Sequence, residues 1–241
     1  MRRWIGRRVS LLAAVLLLAV VPATAQEAMW PNSWVSKGLV DHPLVGKIYA
    51  PHSKKFLTPK AYLQSLVWPR FVLLGEIHDN PDHHILQGLA IRSMAGGRPQ
   101  VVFEHFQTNQ QTLIDAFLTG LTKSDPVVGD EAATRLFVVT NWPASGWPSQ
   151  EIFRPVVKAV LLRKGRILAG NPPRDRVRKI ARQGLDAVSQ DAQRRLRLDT
   201  PLPADLLDGL LTELEASHCG LMPKSAFGNM AIAQRLRDGH M

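Results

Sequence analysis

Three segments of the chain are short, almost wholly apolar and polar at their ends: Arg70–Glu76 (RFVLLGE), Gln100–His105 (QVVFEH) and Arg166–Asn171 (RILAGN). Runs of this kind are the pattern of strands buried on both faces of a parallel sheet. Helical patterns separate them. Residues 82–95 form one, stopped by Gly96-Gly97; residues 107–119 form another, closed by Gly120; a third covers 129–139 and precedes an irregular loop. Strands alternating with helices predict βαβ units, hence an α/β domain with a mostly parallel sheet flanked by helices. Upstream, Gly46–Ala50 and Lys54–Thr58, split by Pro51-His52-Ser53, predict a small hairpin, and a helix is expected from Pro59 with Thr58 as its N-cap. The last quarter reads as helical. Leu206, Leu207, Leu210, Leu211 and Leu214 make an apolar stripe, and a further helix runs from Lys224 to Arg237.

The N-terminus has a different pattern. Arg2, Arg3, Arg7 and Arg8 precede an apolar run, Leu11–Val21, and then Pro22-Ala23-Thr24-Ala25. A basic start, a short apolar core and a small-x-small site predict a signal peptide cleaved after Ala25. The run is about half the ~20 residues that span a hydrocarbon core, which disfavours the alternative of an uncleaved anchor. The expected organisation is a signal peptide over 1–25, an extended lead-in over 26–43 and a single α/β domain over 44–241. Cys219 is the only cysteine, which excludes an internal disulfide, a thiolate zinc cluster and a CxxCH haem attachment.

Loss of four arginines and no acids takes the formal charge from +10 to +6. The remaining excess lies largely between Arg163 and Arg197. A solvated helical face accounts for it, and the sharper alternative is a patch for anionic ligands or phospholipid surfaces. No nucleic-acid partner is expected of an exported chain without a recognisable binding module.

Chemistry concentrates where the first core strand ends, in Gly75-Glu76-Ile77-His78-Asp79-Asn80-Pro81-Asp82-His83-His84. Strand side chains alternate, so Glu76 and His78 face one way. Asn80 is a good N-cap, Pro81 suits the first helical position, and His84 shares a helix face with Gln87. Glu104, at the end of the second strand, adds a carboxylate at the same edge if the sheet is parallel. Glu76, His78, His84 and Glu104 together suit a divalent transition metal. The plainer reading is that Asp79, Asn80 and Asp82 cap a helix and the histidines, His83 included, sit half exposed. In the loop Asn141–Pro148, Trp142 and Trp147 either pack beneath the loop or wall a flat apolar ligand. Arg174, where a helix starts, hints at an anionic partner.

LLGEIHDNPDHHILQ, VVFEHFQTNQQ, the NWP..GWP loop, RILAGNPPRD, HCGLMP and MAIAQRLRD occur in an order that resembles the ChaN-like haem-binding family, within the superfamily of the Tiki proteases and erythromycin esterases. The resemblance covers residues 44–238. It implies an α/β sheet with a helical part, export to the periplasm or its membrane face, and non-covalent haem binding with a part in iron uptake. On that reading haem meets Glu76, His78, His83, His84, Glu104, Trp142, Trp147 and Arg174, in a site that two subunits of a homodimer can share. The relatives imply an alternative, a metal-dependent hydrolase built on Glu76, His78 and Glu104. Two departures stand out. Family members continue past MAIAQRLRD into another strand with a Gly-x-x-His-like end, whereas this sequence stops at Met241 and His240 is not clearly that histidine, so a truncated product or a lost last strand is implied. Family members also tend to have Tyr where Phe153 stands, which leaves Tyr49 and Tyr62 as the phenolates able to bind iron.

Overall fold

The expected hairpin forms from β1 (Ile48–Ala50) and β2 (Lys55–Leu57), paired antiparallel with Ile48 opposite Leu57. Thr58 then caps α1 (Pro59–Ser65), its hydroxyl accepting the Ala61 N–H at 3.2 Å. These elements belong to a computed structural model that describes residues 30–121, 129–219 and 221–239. The signal-peptide expectation over 1–25 and His240 lie outside the described residues.

Segment 71–77 departs from the predicted pattern. It carries no strand pairing among the described residues, although its sequence is that of a core strand. The physical reason is competition from the next helix, α2 (Pro81–Ser93). Gln87 Nε2 donates to the carbonyls of Leu74 and Gly75, both at 3.4 Å, and the Ile77 N–H donates to His83 Nδ1 at 2.9 Å. Val72 and Leu74 pack inward, while Leu73 on the other face is 97% exposed.

Among the described residues, parallel pairing is confined to β3 (Gln100–Gln107) and β4 (Arg166–Asn171). The described sheets are thus one antiparallel hairpin and one parallel pair, smaller than the mostly parallel sheet expected. One edge of β4 is met by a side chain: Gln111 Oε1 accepts the Ala169 N–H at 2.8 Å while its Nε2 donates to the Ile167 carbonyl at 3.0 Å. The amide thereby copies one rung of a strand ladder.

Helices α3 (Gln111–Gly120), α4 (Asp130–Val139) and α5 (Gln150–Leu162) close the main core around Phe103, Phe106, Leu136, Phe137, Phe153 and Ile167. The sequence pattern does not predict α5, because Pro155 sits inside it and removes a backbone donor. Where α2 crosses α5, a Cβ at Gly88 would come 2.9 Å from the Pro155 carbonyl oxygen, so glycine sets the approach of the two helices. A second core, with Ile180, Val188, Leu198 and Leu236, joins α6 (Arg174–Gln183), α7 (Gln190–Arg195) and α9 (Lys224–Asp238). The leucine stripe falls on α8 (Ala204–Ser217), as expected, yet none of its residues is buried there. Among the described residues no helix is long and apolar enough to cross a membrane.

Candidate functional site

Glu76 ends the extended segment with its side chain turned inward, and three imidazoles converge on the carboxylate. His78 Nδ1 lies 2.8 Å from Oε1, His105 Nε2 3.0 Å from the same oxygen, and His84 Nδ1 3.2 Å from Oε2. An ionised carboxylate only accepts, so each of these nitrogens donates. His84, fully buried, meets an acceptor on its other side too, with Nε2 3.0 Å from the His78 carbonyl oxygen. Both its nitrogens therefore carry protons, and it is a buried imidazolium paired with Glu76.

Burial pushes the Glu76 carboxyl up, but hydrogen bonds from His105, His84 and His78 outweigh it and hold the group far below the usual carboxylate range. Burial pushes His84 down, and its bonds to Glu76 and the His78 carbonyl, with the Glu76 charge, reverse that and raise it. Cation and anion stabilise each other where water does not reach.

The other two imidazoles differ in what they leave free. His78 spends Nδ1–H on Glu76, so in the neutral ring its Nε2 keeps a lone pair, on a side chain 43% exposed. A carboxylate behind an imidazole fixes the ring's tautomer and orientation, the arrangement found behind metal-bound histidines. His105 spends Nε2–H and leaves Nδ1 buried with no hydrogen bond. Its ring lies 4.0 Å from that of Phe153 and stacks on Trp142 at 5.7 Å. Glu76, His78 and His105 offer ligand atoms all within 4.8 Å of one another.

Glu104 is not part of this group, contrary to the expectation from sequence. Its carboxylate pairs with Arg237 of α9. The reason is alternation: Phe103 is buried in the core, so His105, two residues on, takes the same face and Glu104 takes the opposite one. A bulge reinforces this. Phe103 pairs with Ala169 and Gln107 with Asn171, so four steps of β3 match two of β4, and the Asn171 side chain donates to the Glu104 carbonyl at 2.9 Å. His105 is the residue that sequence reasoning misses, although Phe103 in register with it is the available signal.

Asn80 caps α2 as expected, its Oδ1 accepting from Asp82 N–H at 3.0 Å and His83 N–H at 3.3 Å. His83 is not among the imidazoles that bond Glu76, and its Nδ1 is occupied by the Ile77 N–H. Asp82 accepts the N–H groups of Val35 and Ser36 at 2.8 and 2.9 Å, which ties the lead-in to the helix start.

Residues 63–241 match the family described as haem-binding uptake, Tiki superfamily, ChaN. The chain belongs to this family. Among solved structures it is similar to one described as "Cofacial heme binding to ChaN of Campylobacter jejuni", with a TM-score of 0.60 and 20% identity, covering 79% of this chain and 71% of that one. A search of curated proteins finds no match.

Around the cluster of this ChaN-family chain, the two loop tryptophans have different surroundings. Trp142 is buried, its Nε1–H donating to the Pro148 carbonyl at 2.9 Å, and it packs within the core on Phe137 and Phe153. Trp147 is half-buried beside the site, its ring 4.7 Å from His78 and 4.6 Å from His105, its Nε1–H donating to the His105 carbonyl at 3.1 Å. Arg174 opens α6 and lies across the same loop, where a Cβ on Gly146 would come 2.6 Å from its Nη2. An indole thus stands beside the His78 imidazole, and a guanidinium lies on the loop that carries that indole. These residue types fit haem, which needs an axial donor, an apolar wall and a cation for its propionates.

Proposed function

We propose that this chain is an exported haem-binding protein of the periplasm that works in haem or iron uptake, with His78 Nε2 as the axial iron donor. Family membership supports haem as the ligand. The observation that carries the assignment to His78 is its Nδ1–H bond to Glu76, which in the neutral ring puts the free lone pair on the outer nitrogen of a part-exposed side chain next to Trp147. Trp147 then walls the porphyrin and Arg174 receives a propionate. The His78 face is open, and haem has two faces, so a second copy of the chain is the natural cover for the other one, in keeping with the cofacial haem binding described for ChaN of Campylobacter jejuni. The +6 charge of residues 26–241 suits approach to an acidic membrane surface. Titration of haemin into the purified protein should give a saturable, red-shifted Soret band. A band that stays that of free haemin would reject the reading. Export is tested separately: the intact mass of secreted material should correspond to a chain starting at Gln26, and a species retaining Met1–Ala25 in the membrane pellet contradicts it.

The proximity of Glu76, His78 and His105 favours a second reading, a divalent metal site of hydrolytic type. Both Glu76 oxygens already accept imidazole N–H groups, so a cation would have to displace protons from the cluster. Calorimetric titration with zinc or manganese, followed by assay on an ester and a peptide, separates the two. Tight metal binding with turnover, while haemin remains unbound, replaces the first reading with this one.

A further inference from the structure

A cavity of about 430 Å³ opens at the start of α2, and none of Glu76, His78, His84 and His105 lines it. Its walls include Trp30 and Trp34 from the lead-in, Tyr62 from α1, and His83 and Leu86 from α2, with Lys47 at its lining. A neighbouring cavity of about 260 Å³ shares Tyr62, His83 and Leu86 with it and extends it to Gln87. The first of these volumes lies within the range that small-molecule sites occupy.

The wall is held in place by specific contacts. The Asp82 carboxylate binds two successive backbone N–H groups of the lead-in, and Ser36 Oγ lies 3.3 Å from Asn80 Oδ1. Trp34 lies flush on Gly46, where φ is +73° and a Cβ would come 2.8 Å from the indole. Trp30 meets Tyr62 edge-on at 6.1 Å. A segment that reads as structureless in the sequence is thereby fixed as one side of a pocket with aromatic walls.

Apart from Asp82, the titratable groups of the pocket offer donors. His83 Nδ1 accepts the Ile77 N–H, so in the neutral ring Nε2 carries the proton. That tautomer is unsuited to binding iron and suited to holding an oxygen. Burial pushes the Tyr62 phenol up, which keeps it protonated, and Lys47 adds a positive charge. The acceptors there, Asp82 and Asn80, are already engaged with backbone N–H groups.

We propose that this cavity is a second ligand site, separate from the Glu76 cluster, and that it takes a flat aromatic carboxylate whose ring packs on the aromatic wall of Trp30, Trp34 and Tyr62 and whose oxygens meet His83 Nε2–H and Lys47. The inference stands independently of haem binding. The probe is 1-naphthoate, titrated into the purified protein by calorimetry and by tryptophan fluorescence. The site predicts saturable binding with one naphthoate per chain. Loss of a hydrogen bond to a charged group corresponds to a roughly tenfold or greater weakening, which is expected of His83→Phe. His83→Gln, which keeps an N–H donor, should retain most of the affinity, and circular dichroism checks that both variants fold. His78→Ala and prior loading with haemin should leave naphthoate binding unchanged. Absence of saturable binding, equal affinity in His83→Phe, or displacement of naphthoate by haemin each overturns the proposal.

Discussion

Glu76 and His84 are opposite charges held out of water, so their contribution to stability depends on pH. The folded value of Glu76 lies below its unfolded value of about 4.3, so its contribution is present above about pH 4.3 and is lost as pH falls through the folded value. The folded value of His84 lies above its unfolded value of about 6.5, so its contribution is complete below about pH 6.5 and is lost as pH rises through the folded value. Stability of the haem-free protein, measured by urea unfolding, should therefore be highest between those two limits and fall on both sides. A profile that is flat from pH 5 to pH 9 contradicts the assignment of His84 as an imidazolium. Glu76→Ala leaves that cation buried and unpaired, and should cost about 3–5 kcal/mol in the same measurement. Most of this cluster is legible in GEIHDNPDHH, because strand alternation and a helix cap place Glu76, His78 and His84 near one another. His105 is not, since the sequence offers Glu104 and His105 side by side and only the burial of Phe103 decides which one faces inward.

Among the elements, those with strong local signals match their predicted spans closely. The hairpin, the Thr58 and Asn80 caps, β4 and the two C-terminal helices all follow from turn residues, caps and periodicity. Two elements are not legible, for reasons that local pattern does not contain. Segment 71–77 has a strand's composition, yet Gln87 and His83 take hydrogen-bonding groups that a neighbouring strand would use. Helix α5 carries Pro155, which argues locally against a helix, while Val156, Val157 and Val160 are buried against the rest of the core. The crossing of α5 with α2 makes a direct prediction. Gly88→Ala places a methyl group against the Pro155 carbonyl and should destabilise the protein by about 1–3 kcal/mol, read as a lower midpoint in thermal unfolding. An unchanged midpoint would mean that the helices separate freely and that the close approach is incidental.

For the whole molecule, the fold brings the C-terminal ends of two core segments, at Glu76 and His105, to one place and sets the Trp147 loop and the start of α6 beside them. Membership of the haem-binding uptake family supports haem as the ligand, and the proposed role of His78 Nε2 as its donor rests on the hydrogen bond from Nδ1 to Glu76. The most direct test is the absorption spectrum of the ferric haem complex of wild type, of His78→Ala, and of His78→Ala with added free imidazole. The account predicts that His78→Ala shifts the Soret band and loses affinity by at least roughly tenfold, as expected when an axial bond is removed, and that imidazole restores the wild-type spectrum. A wild-type spectrum and affinity in His78→Ala without imidazole would contradict it.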